Sequence, residues 1–163
     1  MKKKDIIHYL LIIVIVIFIR TFIVTPIRVQ QSSMYPTLKQ NDIMILNKIS
    51  KKIKRFDIVV FKRQNEFLIK RVIGLPNEIV KYEDNILTIE NCENIKDKQC
   101  IIEEKFITSD FSNVIIPEDY YFVLGDNRSN SVDSREFGVV HKSSILGKTN
   151  LIIFPFQNFK LVK

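Results

Sequence analysis

A chain of 163 residues has room for one domain of ordinary size, and its 46% apolar content suffices for a core. Its 4 Gly and 5 Pro exclude a low-complexity or linker-like protein. The net charge of +7 forms no basic stripe interleaved with aromatics, which argues against a nucleic-acid partner; Lys2, Lys3 and Lys4 gather at the N-terminus, where an anionic membrane surface is the better use for them.

In chain order, residues 1–5 form a basic tail, expected in the cytoplasm. Residues 6–24 are apolar except for His8, Tyr9, Arg20 and Thr21. The uninterrupted stretch Leu10 to Ile19 is too short to span a bilayer. With its flanks it reaches the roughly 20 residues needed, and Arg20 can extend its charged end to the interface. An uncleaved transmembrane anchor is the reading. A cleavable signal peptide is the rival, but Thr25-Pro26-Ile27-Arg28 stands where a small-x-small cleavage pattern would be. Three lysines ahead of the span orient the N-terminus inward, which puts residues 25–163 outside as an extracytoplasmic domain.

Just past the anchor lies Gln31-Ser32-Ser33-Met34-Tyr35-Pro36-Thr37-Leu38. Pro36 fixes its own φ and favours an extended Tyr35, so a serine here is held stiffly. Such a hydroxyl is a weak nucleophile that needs a base within hydrogen-bond reach. Strand-like runs follow: Ile43 to Leu46, Ile58 to Phe61, Phe67 to Ile73, Ile79 to Tyr82, Ile86 to Ile89, Ile101 to Ile107, Tyr120 to Leu124 and Leu146 to Phe154. Lys48 to Arg55 reads as a solvated loop, Gly74 to Asn77 as a turn, and Glu83 to Asn85 as a hairpin connection. Cys92 and Cys100 bracket a polar stretch; they are either a disulfide across a short loop or two thiols, and they lack the partners of a metal site. No long segment after the anchor carries a helical period. The expected fold is a mostly-β domain on one N-terminal transmembrane helix.

Lys70 interrupts the apolar run Phe67-Leu68-Ile69-Lys70-Arg71-Val72-Ile73. It is either a solvated lysine on a strand edge or an inward amine. In the second case desolvation lowers its pKa and makes it a base near neutral pH. The polar stretch Gly125 to Gly138 follows the Tyr120 strand and holds Asp133 and Arg135, a candidate ion pair, with Ser131 able to accept a hydrogen bond from Lys70. No coherent ligand set suggests a metal, and Asp126 with Asn127 lacks the acidic partners of a calcium loop.

Four stretches in order, Ser33 to Leu38, Arg55 to Phe61, Lys70 to Pro76 and Gly125 to Gly138, resemble the type I signal peptidases, membrane-anchored Ser/Lys proteases of bacteria, in their compact form. The resemblance implies two antiparallel β-sheets of the type shared with repressor autoproteases. It also implies no cofactor, Ser33 as nucleophile, Lys70 as general base, and Ser131, Asp133 and Arg135 as supports. The substrates would be signal-peptide-bearing preproteins, cut at the bilayer surface after small residues. Ser33 would give one oxyanion donor through its N–H. Gln31, standing where the family has Gly or Ser, is the candidate for a second. Met34, Leu38, Leu68 and Ile69 match positions near the substrate pockets, with core packing as the alternative role. Phe56 replaces a usual Gly, and Asn77-Glu78 a usual Gly-Asp. An inactive or narrowly dedicated relative, such as one processing pilins or serving as a tethered binding protein, is the alternative function.

Overall fold

The computed structural model describes residues 3–50, 52–83, 86–91, 101–102 and 111–162. Helix α1 (Lys3–Phe22) contains nearly all of the apolar run and ends two residues before the expected boundary. Residues Lys4–Phe22 are long and apolar enough to cross a membrane, and none of that span is covered by the rest of the protein. The helix stops where β-branched Val24 and Thr25 precede Pro26, which disfavours a helical Thr25. Two of its last carbonyls find side-chain donors: Thr25 Oγ1 donates to Arg20 O at 2.8 Å and Lys48 Nζ to Thr21 O at 2.9 Å.

The chain then forms β1 (Val24–Arg28), β2 (Ile43–Asn47), β3 (Ile58–Arg63), β4 (Glu66–Gly74), β5 (Ile79–Glu83), β6 (Ile86–Glu90), β7 (Ile101–Ile102), β8 (Phe111–Ile115) and β9 (Tyr120–Leu124). A short helix α2 (Ser134–Phe137) precedes β10 (Val140–His141), β11 (Ile145–Phe154) and β12 (Lys160–Leu161). Among the described residues these strands make two antiparallel sheets, as expected of a mostly-β fold. The larger runs β1-β2-β11-β3-β4-β9-β10, with β12 on β11; the smaller runs β7-β6-β5-β8. Pro26 lies in edge strand β1, where a missing N–H is tolerated. In β3, Ile58 packs with Met34 and Met44 on one face, while Val59 and Phe61 pack with Leu68 and Val72 on the other, so the continuous apolar run reflects burial on both faces. A third cluster joins the sheets, Ile73, Phe122 and Leu124 of the larger meeting Val80, Tyr82 and Leu87 of the smaller.

Several expectations change. The Ser33 segment is a run of turns with a cis Tyr35–Pro36 bond, not an extended stretch, because Tyr35 N bonds back to Ser32 O and Leu38 N to Met34 O. Arg55 is not solvated: its guanidinium reaches Glu78 through contacts of 2.5 and 3.0 Å and donates to Ile73 O. Gly74 is the last residue of β4 rather than a turn residue, since it pairs with Phe122 of β9, and a Cβ there would collide with Ile116 and Val80. β5 and β6 pair with Glu83 opposite Ile86, as a hairpin requires. β1, β8, β10 and β12 were not read from the sequence. Cys92, Cys100 and the strand expected beyond Ile102 lie outside the described residues.

Candidate active site

The turn after Val29 presents Ser33, and the centre of β4 presents Lys70. Ser33 is 8% exposed and Lys70 1%. Lys70 Nζ lies 2.6 Å from Ser33 Oγ, a short hydrogen bond. The solvated-edge alternative for Lys70 is thereby removed. Burial, the largest influence, pushes the amine below its ordinary value. Asp133 and Asp126 oppose this by their charge, and Arg135 adds to it.

The loop after β9 closes over this pair. Asp133 caps α2 by accepting from Arg135 N, and its carboxylate takes Arg135 Nε and Nη2, both at 2.8 Å, and Gly125 N at 3.0 Å. Burial alone would raise Asp133, but these donors hold it below the usual carboxylate value. Arg135 Nη2 also donates to Arg128 O at 2.7 Å, which bends the loop back on itself. Gly125 is required by close approach, since a Cβ there would strike Ser131 and the carbonyl of Ser33. The expected Lys70–Ser131 hydrogen bond is not made: Ser131 Oγ is buried against Gly125 with no well-formed partner.

The sequence reading missed Arg71, Asp126 and Asn127. Arg71 Nε and Nη2 grip Asp126 at 2.8 and 2.7 Å, and Nη1 donates to Phe56 O at 2.9 Å. An arginine in an apolar strand calls for a buried counter-charge, and that was the available signal. Asn127 N donates to Ser33 O at 2.9 Å and its side chain to Ser32 O at 3.2 Å.

Ser33 opens onto a cleft of about 540 Å³. Ile27 and the segment to Gln31 form one wall, Phe67 and Ile69 the other, and Leu46, Val60 and Leu146 are also part of the lining. Residues 66–70 of β4 pair with β3 on one side, whereas β9 begins pairing only at Arg71. That leaves an open backbone edge on β4, and β1 is a sheet edge as well. An extended peptide can add to such edges. Met34 and Ile69 line the cleft, and exposed Gln31 sits on its rim. Leu38 and Leu68 do not line it; they are core residues, Leu38 packed with Val29 and Met44, Leu68 with Val59 and Phe61.

A buried hydroxyl–amine pair heading an apolar, strand-edged cleft is an arrangement for hydrolysis by a serine nucleophile. The family model for "Signal peptidase, peptidase S26" matches residues 3–154. A signal peptidase I of Bacillus amyloliquefaciens is 36% identical over 162 residues, covering 93% of this chain and 87% of that protein. A signal peptidase IB of Staphylococcus aureus (strain COL) is 34% identical over 180 residues, covering 97% and 94%. A crystal structure of a signal peptidase I from Enterococcus faecalis V583 is 37% identical, covers 60% of this chain and 96% of that one, and superposes with a TM-score of 0.48. The chain belongs to the signal peptidase family, peptidase S26, and is a serine peptidase, a hydrolase.

Proposed function

We propose that this chain is a membrane-bound serine endopeptidase that removes N-terminal signal peptides from preproteins, with Ser33 as nucleophile and Lys70 as general base. The 2.6 Å approach of the two buried groups carries the reading. The neutral amine takes the proton of Ser33, and Oγ attacks the scissile carbonyl. The C–N bond breaks as the ammonium returns its proton to the leaving amine, leaving an ester on Ser33. Lys70 then removes a proton from water, which attacks the ester; the bond from the acyl carbon to Ser33 Oγ breaks as the ammonium returns that proton to Oγ, releasing the signal peptide's new carboxylate. The Ser33 N–H is the first oxyanion donor, and Gln31, on the cleft rim, is the candidate for a second. Asp133 and Arg135 hold the loop over the pair. Ser131, whose hydroxyl lies beside the Asp133 carboxylate, is the group available to the ammonium once it forms. Met34 and Ile69 belong to the wall that limits the residues before the cut to small side chains.

Helix α1 is the anchor, a single span with residues 1–5 in the cytoplasm and the domain from residue 25 on the other side. The triple lysine supports that orientation. A substrate arriving from the bilayer then follows β1 from the end of α1 toward Ser33. The test is cleavage of a signal-peptide-bearing precursor by the full chain in detergent micelles. Wild type cleaves; Ser33→Ala and Lys70→Ala do not. Cleavage surviving either change overturns the assignment.

A further inference from the structure

Asn127 holds both peptide groups that flank Ser33. Its side-chain Nδ2 donates to the Ser32 carbonyl at 3.2 Å, an oxygen that also accepts from Tyr35 N at 3.0 Å. Its backbone N donates to the Ser33 carbonyl at 2.9 Å. A peptide group is planar, so the direction of the Ser32 C=O sets the opposite direction of the Ser33 N–H. Fixing the Ser33 carbonyl in the same way sets the next plane. Asn127 therefore constrains the two backbone dihedrals of the nucleophile. Asn127 is itself seated: its carbonyl accepts from Asn130 N at 2.9 Å, and the Asn130 side chain reaches back to Ser32 Oγ at 3.3 Å.

From this geometry we infer that Asn127 is a positioning residue whose side chain aims the Ser33 N–H at the oxyanion of the transition state. It touches neither the substrate nor Lys70; it acts through the Ser32–Ser33 peptide. The inference rests on the proposed role of Ser33. Without the amide donor, Tyr35 N alone holds the Ser32 carbonyl, and the plane can tilt. The N–H then meets the ground-state carbonyl as before but loses part of the interaction that grows as charge develops on the oxygen.

The test compares wild type, Asn127→Ala and Asn127→Asp, the last keeping the shape and the backbone N–H while removing the side-chain donor. Precursor cleavage by wild type and its loss in Ser33→Ala settle the parent reading independently. With wild type active, the expected result for Asn127→Ala is a kcat about tenfold or more lower at an unchanged KM. The pH midpoint of the rate stays where it was, because Lys70 is untouched. A peptide aldehyde ending in alanine, which adds Ser33 Oγ and creates a tetrahedral oxygen, should lose affinity by a similar factor. An uncleavable substrate peptide should bind as before. Asn127→Asp should show the same loss of aldehyde affinity, and it serves as the test if the alanine variant does not fold. Unchanged kcat and aldehyde affinity in the folded variants, a loss confined to KM, or a moved pH midpoint in Asn127→Ala would overturn the inference.

Discussion

Arg71 and Asp126 meet through two hydrogen bonds of 2.8 and 2.7 Å, joining the strand that carries Lys70 to the loop that covers Ser33. Both side chains are about nine-tenths buried. Breaking such a pair from one side leaves an uncompensated charge, which costs on the order of 3–5 kcal/mol. Asp126→Ala should lose about that much stability at neutral pH, read by denaturant unfolding. Burial alone would raise Asp126, but the Arg71 bonds and charge, with smaller help from Thr37 and Arg128, carry it below 3.8. A depressed carboxylate contributes stability that is present above its unfolded value and is lost as pH falls through the folded value. The gap between wild type and Asp126→Ala should therefore narrow on acidification below that point.

Lys70 works in the opposite direction. Its folded pKa is lowered from 10.5, so the folded chain holds fewer protons than the unfolded chain between the two values. The resulting penalty is full below the folded pKa and vanishes as pH rises through 10.5. Lys70→Met should be inactive yet more stable by about 1–3 kcal/mol at neutral pH, less the roughly 1 kcal/mol lost with the Ser33 hydrogen bond. That gain should shrink as the buffer approaches pH 10. Thermal unfolding of both proteins across pH checks the sign.

Gly125→Ala places a methyl group against Ser131 and the Ser33 carbonyl. Overpacking of this kind costs about 1–3 kcal/mol. The neighbour that must yield is the backbone of Ser33, the proposed nucleophile, so cleavage should fall much further than stability. Parallel measurement of kcat and the unfolding midpoint separates the two effects.

The strands were legible wherever a run such as Ile58 to Phe61 is buried on both faces or Ile79 to Tyr82 alternates. β1 was missed because its sequence, with Pro26 in the middle, reads as the frayed end of an anchor; an edge position is what makes it a strand. The departures at Phe56 and Asn77 were visible, and their physical meaning is now clear. Both residues take positive φ, 68° and 67°, the conformation for which glycine is the undemanding choice. Glu78 was legible only as a departure from the family's usual residue, because its partner, Arg55, was assigned to solvent. Likewise Arg71 and Asp126 are 55 residues apart, and nothing short of the folded sheet brings them together.

The central claim is that burial beside Ser33 lowers the pKa of the Lys70 amine and so makes it available as a base. The direct measurement is an NMR titration of lysine side-chain nitrogens in the full chain in micelles, with Lys70 assigned by the signal missing from Lys70→Met. The expected result is a Lys70 midpoint below 10.5 that coincides with the rise of kcat/KM for precursor cleavage. A midpoint at or above 10.5, with activity rising at a lower pH, would contradict it.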